Sequence, residues 1–366
     1  MNTIRVSVDF LCDFMDKAFA QVGVPDDDRR IIIDVLIRAD LRGIESHGIG
    51  RLKMYVDRIR QGILMPKTEL KIVRQSAGSA VIDGGHGMGQ VIAYRAMELA
   101  IDKARQVGIA AVAVRNSSHF GIAGYYPIMA VKQNMAGLAF TNARPSIPPT
   151  FSGEPMMGTN PIAFAVPTDE ECPFVLDMAT SIIQRGKIEV YEREGKTVPE
   201  GWVTDDQGAE ISDPGEVLRL MGLRKASLLP LGGAGESHSG YKGYGLAMMV
   251  EIFSSLFAGG AFGQALSGLN EDGKAIPHQL GHFFIAIDIS HFIAVEEFKK
   301  LAGDLVRSMR TAQKLPGEKR IYTAGEKEFE NEKRIPIDGV PLNTVMQKTL
   351  HKMADELRLD VQFPFS

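Results

Sequence analysis

The sequence predicts an α/β fold whose chain begins and ends in helices. Apolar residues recur at helical spacing over residues 7–22 and 26–42, so the first 65 residues are predicted to be mostly helical. Between residues 70 and 178 short apolar strands alternate with helices, and helical spacing returns after residue 293. This alternation is typical of a layered α/β arrangement.

End signals support the individual helices. The helix over 26–42 opens with three aspartates and finishes with arginine, which matches the helix dipole, and Gly43 ends it. A third, shorter helix is predicted from Arg51 to Arg60. The remaining predicted helices cover residues 89–107, 243–258, 293–312 and 343–358.

Short apolar runs bounded by turn residues predict the strands. They cover residues 70–73, 79–83, 109–116, 135–142, 161–167, 173–178 and 282–289. Frequent Pro and Gly predict loops over residues 189–242 and again over 259–273.

Composition excludes several classes of protein. The formal net charge of -4 and the scattered basic residues predict no nucleic-acid or membrane partner. The two cysteines, Cys12 and Cys172, can supply neither a disulfide framework nor a cysteine zinc site. The most apolar stretch, residues 246–262, is too short and too interrupted to span a bilayer, and the N-terminus lacks a signal-peptide pattern. We therefore expect a cytoplasmic protein without a bound metal.

The stretch V-I-D-G-G-H-G-M-G-Q, residues 81–90, looks like a phosphate-binding loop. The dinucleotide fingerprint needs glycine at its first, third and sixth positions, and here Gly85 and Gly87 are followed by Gln90. No acidic residue ends a second strand at the required distance. We therefore predict a tight turn between the strand and the helix, in which glycine supplies positive φ angles. Phosphate binding at the helix N-terminus is the alternative.

The first stretch with chemistry is R-A-D-L-R-G-I-E-S-H-G-I-G-R-L, residues 38–52. His47 lies in a glycine-flanked loop and Arg51 follows one helical turn later. A guanidinium can hold a carboxylate with two hydrogen bonds, and an imidazole can protonate a carbonyl oxygen as hydride arrives. This pair predicts a 2-keto acid site, and a surface loop with a solvated histidine is the alternative.

The second stretch is N-S-S-H-F-G-I-A-G-Y-Y, residues 116–126, directly after an apolar strand. Ligands of open α/β folds collect at strand ends, so His119 is a candidate site residue. The alternative is a histidine that makes local turn contacts.

Two further stretches are candidates for a cofactor. Asp177 ends a strand and the following M-A-T-S offers hydroxyl and backbone N–H groups, which can hold ribose or phosphate oxygens or can cap a helix. Lys242 lies between glycines just before a predicted helix, where it could contact a pyrophosphate or a carboxylate. A solvated lysine is the alternative, because the spacing of a nucleotide-triphosphate loop is absent.

Taken in order, these stretches resemble the malate/L-lactate dehydrogenase family of NAD(P)-dependent oxidoreductases, which includes ureidoglycolate, sulfolactate and 2,3-diketogulonate enzymes and a Δ1-piperideine-2-carboxylate reductase. M-G-T-N-P-I-A-F-A-V-P (157–167), R-G-K-I-E (185–189), P-E-G-W (199–202) and G-Y-K-G-Y-G-L (240–246) extend the resemblance. Each motif is weak alone, but their order along nearly the whole chain is specific. Residues 258–275 lie where the family varies most, and no role is assigned to them.

The resemblance implies a non-Rossmann α/β fold, with a mostly antiparallel or mixed sheet surrounded by helices and with helical N- and C-terminal segments. It also implies a homodimer that binds NAD or NADP. The implied domains are a helical N-terminal part of a substrate and dimerisation domain (1–78), a cofactor-binding sheet domain (79–290), and C-terminal helices that return to the first domain (291–366).

Site residues carry over from the family position by position. His47 and His119 match the two histidines proposed as acid/base, between which the sequence does not choose, and Arg51 matches the arginine that holds the substrate carboxylate. Ser46, Tyr55 and Asn142 are weaker assignments to the substrate pocket. The implied cofactor contacts are Leu176, Asp177, Met178, Ala179, Thr180, Ser181, Lys242, Gly243, Ala324, Gly325 and Glu326.

The sequence thus predicts an NAD(P)-dependent enzyme that interconverts a 2-hydroxy acid and a 2-keto acid, with malate/oxaloacetate favoured and lactate/pyruvate next. One alternative is reduction of a cyclic imine carboxylate. Another is a metal-dependent lyase or hydrolase that uses His47, His119 and Asp177, although H-E-x-x-H is absent. The third is a protein that only binds a nucleotide.

Overall fold

The computed structural model describes residues 3–365. Over these residues it contains a seven-stranded sheet, two small two-stranded sheets and eleven α-helices. The helices are α1 (Val8–Gln21), α2 (Asp26–Leu41), α3 (Leu52–Arg60), α4 (Gly89–Val107), α5 (Tyr125–Val131), α6 (Arg185–Glu194), α7 (Pro214–Gly222), α8 (Gly240–Ser255), α9 (Val295–Arg310), α10 (Glu326–Asp338) and α11 (Thr344–Leu357). The strands are β1 (Ile4–Val6), β2 (Lys71–Gln75), β3 (Ser79–Asp83), β4 (Ile109–Ser117), β5 (Met135–Thr141), β6 (Ile162–Val166), β7 (Phe174–Met178), β8 (Val203–Asp205), β9 (Ala226–Leu228), β10 (Leu280–Asp288) and β11 (Val340–Leu342).

The large sheet has the strand order β2-β3-β4-β10-β5-β6-β7. All neighbouring strands are antiparallel except β3 and β4, which run parallel and are joined by α4. The expected mixed, mostly antiparallel sheet surrounded by helices is therefore confirmed. Its order differs from a doubly wound nucleotide-binding sheet, in which the strands are mostly parallel.

The central strand β10 is buried on both faces of the sheet. Phe284 and Ala286 pack with α4 and α5, whereas Phe283 and Ile285 pack with α8. A strand covered on both sides reads as a continuous apolar run, which is why its sequence was recognised. Over residues 3–365 no helix has the length and apolarity to cross a membrane.

The two ends of the chain share one core. α1 and α11 contribute Leu11, Phe14, Leu350 and Met353 to a single apolar cluster, and β1 pairs with β11. This shared core supports the proposed return of the C-terminal helices to the first domain. The domain division itself stays a prediction, and its residues 1, 2 and 366 lie outside the described range. The large sheet includes β2, which precedes the predicted boundary at residue 79.

Several elements were not predicted from the sequence. The interval 189–242, expected to be a loop, holds the end of α6 together with α7, β8 and β9. These elements are short, and α6 buries only Gly186 and Ile188, so its apolar periodicity is weak. β1, α5, α10 and β11 were also missed, and Pro336 inside α10 disguised that helix.

The glycine loop over 84–89 is a turn, as predicted, and it serves the neighbouring loop. Positive φ angles occur at Gly85 and His86. The hydroxyl of Ser118 donates to the Gly87 carbonyl at 3.0 Å and accepts from the Gly89 N–H at 2.9 Å. A Cβ at position 89 would lie 2.3 Å from the Ser118 carbonyl oxygen and 2.5 Å from that of His119. Glycine there lets the start of α4 touch the backbone that carries His119.

We predict that Gly89→Ala lowers the free energy of unfolding by about 1–3 kcal/mol, because backbone atoms cannot yield to the new methyl group as a flexible side chain would. Urea denaturation followed by circular dichroism measures this. Gly222→Ala is the matched control, since a Cβ there meets no atom within 4 Å. Equal stability of the two variants would contradict the close approach.

Candidate active site

Two stretches far apart in the sequence meet at the end of β4. The rings of His47 and His119 stack with their centroids 5.4 Å apart and an interplanar angle of 27°. The hydroxyl oxygen of Tyr55, on α3, lies 2.5 Å from Nδ1 of His119. Arg51, in the short 3-10 turn before α3, completes the group. The structure therefore brings together four residues of the predicted substrate site.

A buried carboxylate holds the loop that carries His47. Asp40, near the end of α2, accepts a hydrogen bond from the Ile49 N–H at 2.7 Å. A Cβ at Gly48 would lie 1.9 Å from Oδ1 of Asp40, so only glycine allows this approach. Burial raises the pKa of Asp40 to about 8, against the effect of the Ile49 hydrogen bond. Asp40 therefore fixes the backbone conformation of this loop against α2.

Ser46, His47 and Arg51 are tied to one another. The Ser46 hydroxyl lies 2.8 Å from Nδ1 of His47, and Nε of Arg51 donates to the Ser46 carbonyl at 2.5 Å. Burial and the Arg51 charge lower the pKa of His47 to about 4. The half-burial of His47 and its hydrogen bond to Ser46 favour the site assignment over a solvated surface histidine, and its role stays a prediction. A Cβ at Gly186 of α6 would lie 3.1 Å from Cβ of Ser46, so this glycine lets α6 close the pocket behind Arg51.

The surroundings of His119 favour a neutral ring and determine which of its two nitrogens carries the hydrogen. The Gly121 N–H donates to Nδ1 of His119 at 3.4 Å, so Nδ1 acts as an acceptor. Burial lowers the pKa of His119 well below its usual value, and the nearby charges of His47, Arg51 and Arg58 add to that effect. Burial also raises the pKa of Tyr55, which keeps its proton and can donate it to Nδ1. Neutral His119 then carries its hydrogen on Nε2.

Asn142 follows β5 and is buried beside the central strand. Its Oδ1 accepts from the Gly281 N–H at 2.8 Å. Its Nδ2 lies near the carboxylate of Glu251 but has no hydrogen bond of normal geometry within residues 3–365. A buried donor without a good partner can serve a ligand. This geometry supports the predicted place of Asn142 in the pocket, which stays a prediction.

Two buried polar residues near the site were not identified from the sequence. His282 on β10 bridges the hydroxyls of Thr141 at 2.8 Å and Ser117 at 2.7 Å, and burial lowers its pKa to about 3. Gln90 is fully buried near the Tyr55 hydroxyl, without a hydrogen bond of normal geometry. A histidine inside an apolar strand was the available signal for the first, and a polar residue on the buried face of α4 was the signal for the second.

The three predicted cofactor segments adjoin β7 and the loop after it. The Thr180 carbonyl accepts from the Leu231 N–H at 2.9 Å, and a Cβ at Gly243 would lie 2.2 Å from the Leu231 carbonyl oxygen. On the other side, the Val175 N–H donates to the Ala324 carbonyl at 3.2 Å. Glycine at position 325 is required there by a φ of +94° and by the closeness of Val175.

Several side chains of these segments are already engaged within the protein. Thr180 donates to the carbonyls of Thr159 and Asn160, and Ser181 donates to that of Ile183. The carboxylate of Glu326 pairs with Arg320 at 3.0 Å and Arg310 at 3.3 Å. A ligand at these positions would therefore meet mainly backbone groups. Residues 177–181 do not cap the helix that follows them, because α6 begins at Arg185 without a side-chain cap, whereas Asp177 accepts from the N–H of Gly124 at the start of α5.

Asp177 and Lys242 keep exposed groups. The Asp177 side chain is exposed to solvent on one side. On the other side its Oδ2 accepts a hydrogen bond from the Gly124 N–H at 2.7 Å, and desolvation raises its pKa. The sequence had placed Lys242 just before a helix, but the structure places it within the first turn of α8. Its ammonium makes no ion pair with another described residue, so the solvated alternative is still open.

This arrangement fits a dinucleotide. The side chain of Ser239 does not cap α8. The N–H groups of Ser239 and Lys242 donate to the carbonyls of Glu236 and Ser239, which leaves those of Gly240 and Tyr241 for an anion. Lys242 stands in the same turn, and the backbone-rich loop after β7 is linked to it through Leu231. A helix start with a nearby lysine suits the negative charge of a diphosphate.

The metal alternative lacks its ligands. Among the histidine, cysteine, aspartate and glutamate residues of the described range, no three are grouped so that they could hold an ion. His47, His119 and Asp177 therefore do not form the set that a metal-dependent lyase or hydrolase needs.

Comparison with known proteins agrees with this geometry. A model of the family described as malate/L-lactate dehydrogenase matches residues 6–351. The malate dehydrogenase of Pyrococcus horikoshii is 42% identical over 98% of this chain and 97% of its own. The L-sulfolactate dehydrogenase of Methanocaldococcus jannaschii is 39% identical over 93% of both chains. The crystal structure of malate dehydrogenase from Entamoeba histolytica superposes with a TM-score of 0.95 and 42% identity, covering 100% of both chains.

The chain belongs to the malate/L-lactate dehydrogenase family. The names of its relatives include an NADP(+)-dependent sulfolactate dehydrogenase from Chromohalobacter salexigens, 34% identical over 75% of this chain and 78% of its own. The expected family, the enzyme class of NAD(P)-dependent dehydrogenase and the cofactor class are confirmed. The individual site residues stay predictions that the geometry above supports.

We predict that Tyr55→Phe lowers turnover about tenfold or more, because His119 loses the hydroxyl that can accept Nδ1–H when the ring is charged. The pKa of His119 should therefore fall further. Because His119 must be charged to give a proton to the keto acid, reduction should begin to slow at a lower pH in the variant than in the wild type. A pH profile of kcat/KM measures both. Tyr94→Phe, a half-buried tyrosine on α4, is the control. An unchanged profile in Tyr55→Phe would show that the hydroxyl does not support His119.

Proposed function

We propose that the protein interconverts a 2-hydroxy acid and its 2-keto acid with NAD or NADP, with malate/oxaloacetate as the first pair and lactate/pyruvate as the second. The observation that carries this proposal is the stacked His47–His119 pair with Arg51 and Tyr55 around it. The malate dehydrogenases among the relatives support the order of substrates. The cytoplasmic location stays a prediction from composition.

Arg51 binds and orients the substrate. Its Nε donates to the Ser46 carbonyl, and its guanidinium forms no ion pair with a carboxylate of the described residues. A guanidinium can therefore present two N–H groups to the substrate carboxylate. NAD(H) or NADP(H), when bound, would supply or accept the hydride, while Arg51 would orient the acid.

His119 is proposed to move the proton, with His47 stacked beside it as a neutral partner. Charged His119 gives a proton to the keto oxygen during reduction, and neutral His119 takes the hydroxyl proton during oxidation. Tyr55 can serve both states, because its hydroxyl can donate to Nδ1 or rotate toward the His119 carbonyl at 3.5 Å and accept Nδ1–H. Two imidazolium rings with centroids 5.4 Å apart would repel, so at most one ring of the pair is charged at a time.

Substrate binding and protonation are coupled in this site. In the free protein, burial and the arginine charges lower the pKa of both histidines. A carboxylate bound at Arg51 offsets the positive charge and raises those pKa values. Because a raised pKa keeps the proton bound to higher pH, keto-acid reduction should be favoured on the acid side and hydroxy-acid oxidation on the alkaline side.

The cofactor is proposed to lie along Leu176–Ser181, Lys242 with Gly243, and Ala324 to Glu326. The uncapped start of α8 and Lys242 would face the diphosphate. The backbone of the loop after β7 would meet the ribose. No step of the chemistry is assigned to these groups beyond binding and orientation.

We also propose a homodimer formed through one face of α8. Tyr241, Met248, Ile252 and Leu256 are spaced along one side of this helix, and each is 41–56% exposed. Phe257 and Phe262 extend the apolar area. Large exposed apolar patches mark interaction sites, and a second copy of the chain is the expected occupant.

Ile252→Glu is therefore predicted to dissociate the dimer, which light scattering coupled to size exclusion measures. Ile337→Glu is the control, because this residue of α10 is 86% exposed and lies outside the α8 face. Dissociation by Leu305→Glu on α9 instead would move the interface to that helix. A monomeric wild-type protein would contradict the dimer itself.

The function is tested by absorbance of NADH and of NADPH against oxaloacetate, pyruvate, other 2-keto acids and a cyclic imine acid. We expect His119→Ala and His47→Ala each to lower turnover, by about 10²-fold or more for the acid/base residue, and Arg51→Ala mainly to weaken keto-acid use. His291→Ala, an exposed histidine, is the control.

Each alternative has its own outcome in this assay. Turnover of the imine alone would favour the reductase alternative, and a crystal structure of Δ1-piperideine-2-carboxylate reductase from Pseudomonas syringae pvar. tomato has a TM-score of 0.81 at 27% identity over 96% of this chain and 100% of its own. Loss of activity with a chelator would favour a metal enzyme. Binding of NADH without any turnover would favour a nucleotide-binding protein.

A further inference from the structure

A fully buried histidine lies between the ends of two strands that lead into the candidate active site. β4 and β5 both pair antiparallel with β10, so their last residues, Ser117 and Thr141, lie at the same edge of the sheet. His282 belongs to β10 and is 0% exposed. His119 comes shortly after Ser117, and Asn142 follows Thr141 directly. His282 is therefore placed between the two segments that carry these predicted site residues.

The ring of His282 joins the two strand ends through its nitrogens. Nδ1 lies 2.8 Å from the Thr141 hydroxyl oxygen, and Nε2 lies 2.7 Å from the Ser117 hydroxyl oxygen. In a neutral imidazole one nitrogen donates and the other accepts, and a hydroxyl group can serve either. Burial lowers the pKa of His282 to about 3, so the ring stays neutral and takes no part in proton transfer. The ring is thus a bridge between two hydroxyl groups.

This bridge holds the segment of His119 on both sides of that residue. Ser117, before it, is hydrogen-bonded to His282, and Phe120, directly after it, stacks on the same ring. The centroids of the two stacked rings are 4.6 Å apart, and their interplanar angle is 15°. The pairing of β4 with β10 is irregular between Leu280 and His282, and bulges of this kind re-aim side chains next to active sites. One side chain of β10 therefore fixes the backbone that carries His119.

The segment of Asn142 is held by the same part of β10. The Thr141 hydroxyl lies within donating distance of the Asn142 carbonyl, at 3.0 Å, and of the Gly281 carbonyl, at 3.1 Å. The Gly281 N–H donates to Oδ1 of Asn142 at 2.8 Å. A Cβ at Gly281 would lie 1.7 Å from the Ser254 carbonyl oxygen, so glycine is required for this contact with α8. Gly281 and His282 thus fix Asn142 through its neighbour, its backbone and its side chain.

Burial alone does not explain a histidine at this position. The next residues on the same face of β10, Phe284 and Ala286, are apolar and fully buried. A buried polar group costs stability unless its hydrogen bonds are made. A buried network in which every member is satisfied restricts the structure to one arrangement. The histidine is therefore explained by the arrangement that it imposes on the two strand ends.

We propose that His282 is a positioning residue that fixes the segment of His119 and the segment of Asn142 relative to each other. The proposal rests on the proposed function, in which His119 moves the proton and Asn142 lines the substrate pocket. A displacement of about 1 Å between reacting groups can cost about 10²-fold in rate. His282 acts only through its neighbours, and its ring touches neither substrate nor cofactor.

The test replaces His282 by side chains that keep one, the other or neither of its contacts. The amide nitrogen of His282→Asn takes the place of Nδ1 and keeps the Thr141 contact. The amide nitrogen of His282→Gln takes the place of Nε2 and keeps the Ser117 contact, and His282→Leu keeps neither. Reduction of oxaloacetate and pyruvate with NADH and with NADPH gives kcat and KM for each variant.

We expect His282→Leu to lower kcat about 10- to 100-fold and to raise the KM for the acid. His282→Gln should recover most of kcat, because the Ser117 contact belongs to the His119 segment. His282→Asn should recover the KM for the acid but not kcat, because the Thr141 contact belongs to the Asn142 segment. The KM for the coenzyme should stay within about twofold, since none of these contacts involves a predicted cofactor residue.

A pH profile separates positioning from a loss of stability. Burial is the main cause that lowers the pKa of His119, so release of its segment should raise that pKa toward its ordinary value. A raised pKa keeps the proton to higher pH, so reduction by His282→Leu should begin to slow at a higher pH than in the wild type. Val112→Ala, which shortens another fully buried side chain of β4, is the control. It should lower the unfolding temperature and leave the pH profile unchanged.

Ser117→Ala tests the bridge without a change at the histidine. It should lower kcat in the same direction as His282→Leu. The double variant should lose little more than His282→Leu alone, because the two residues share one interaction. Losses that multiply in the double variant would contradict the bridge. Ser117→Ala and His282→Gln also keep the inference testable if His282→Leu does not fold.

Two kinetic results would overturn the inference. Equal constants for the three variants at position 282 would show that the hydrogen bonds do not carry the effect. Wild-type kcat, KM and pH profile in folded His282→Leu would make the residue a part of the core and no more.

Failure of the proposed function has a different signature, which is the absence of hydride transfer to any 2-keto acid by the folded wild type. Crystal structures of the wild type and of His282→Leu then test the inference alone. We expect the Tyr55 hydroxyl oxygen and Nδ1 of His119, 2.5 Å apart in the wild type, to move beyond hydrogen-bond reach in the variant. An unchanged contact would reject the positioning role.

Discussion

The docking of the helical cluster onto the end of β4 is the contact on which the site depends. Tyr55 belongs to the apolar core shared by the two ends of the chain, whereas His119 follows a strand of the central sheet. Their hydrogen bond of 2.5 Å crosses from one core to the other. Met88 and Val91, at the start of α4, pack into the helical cluster, and Gly89 brings that start onto the His119 backbone. The site is therefore a product of this interface.

Excess positive charge governs the chemistry of the site. Arg51 and Arg58 stand near two histidines that burial already disfavours in their charged form. We infer that the free protein keeps neutral imidazoles, and we propose that the negative charge of an acidic substrate lets one of them hold a proton. In the proposed function, electrostatics links the charge of the substrate to the proton affinity of the histidines.

Much of the architecture was predictable because its signals are local. The helices α1, α2 and α4 and the strands β4 and β10 have strong periodicity or apolar runs, and they lie near their predicted positions. The elements between residues 185 and 228 were missed because they are short, with three residues in each strand and nine or ten in each helix. α8 begins at Gly240, three residues earlier than predicted. The prediction placed the start too late because glycine has a low helix propensity. Glycines are required at positions 240 and 243 because the backbones of Gly233 and Leu231 pack closely against them.

The sequence by itself determined the family, the α/β class and the motifs around His47, Arg51 and His119, because residue types and spacing are carried by the chain. Only the tertiary structure decided that the glycine loop at 84–89 supports His119 and that Tyr55 is its partner. These facts depend on contacts between residues distant in the chain. Sequence patterns report the face and the period of an element, whereas such contacts arise when separate cores pack together.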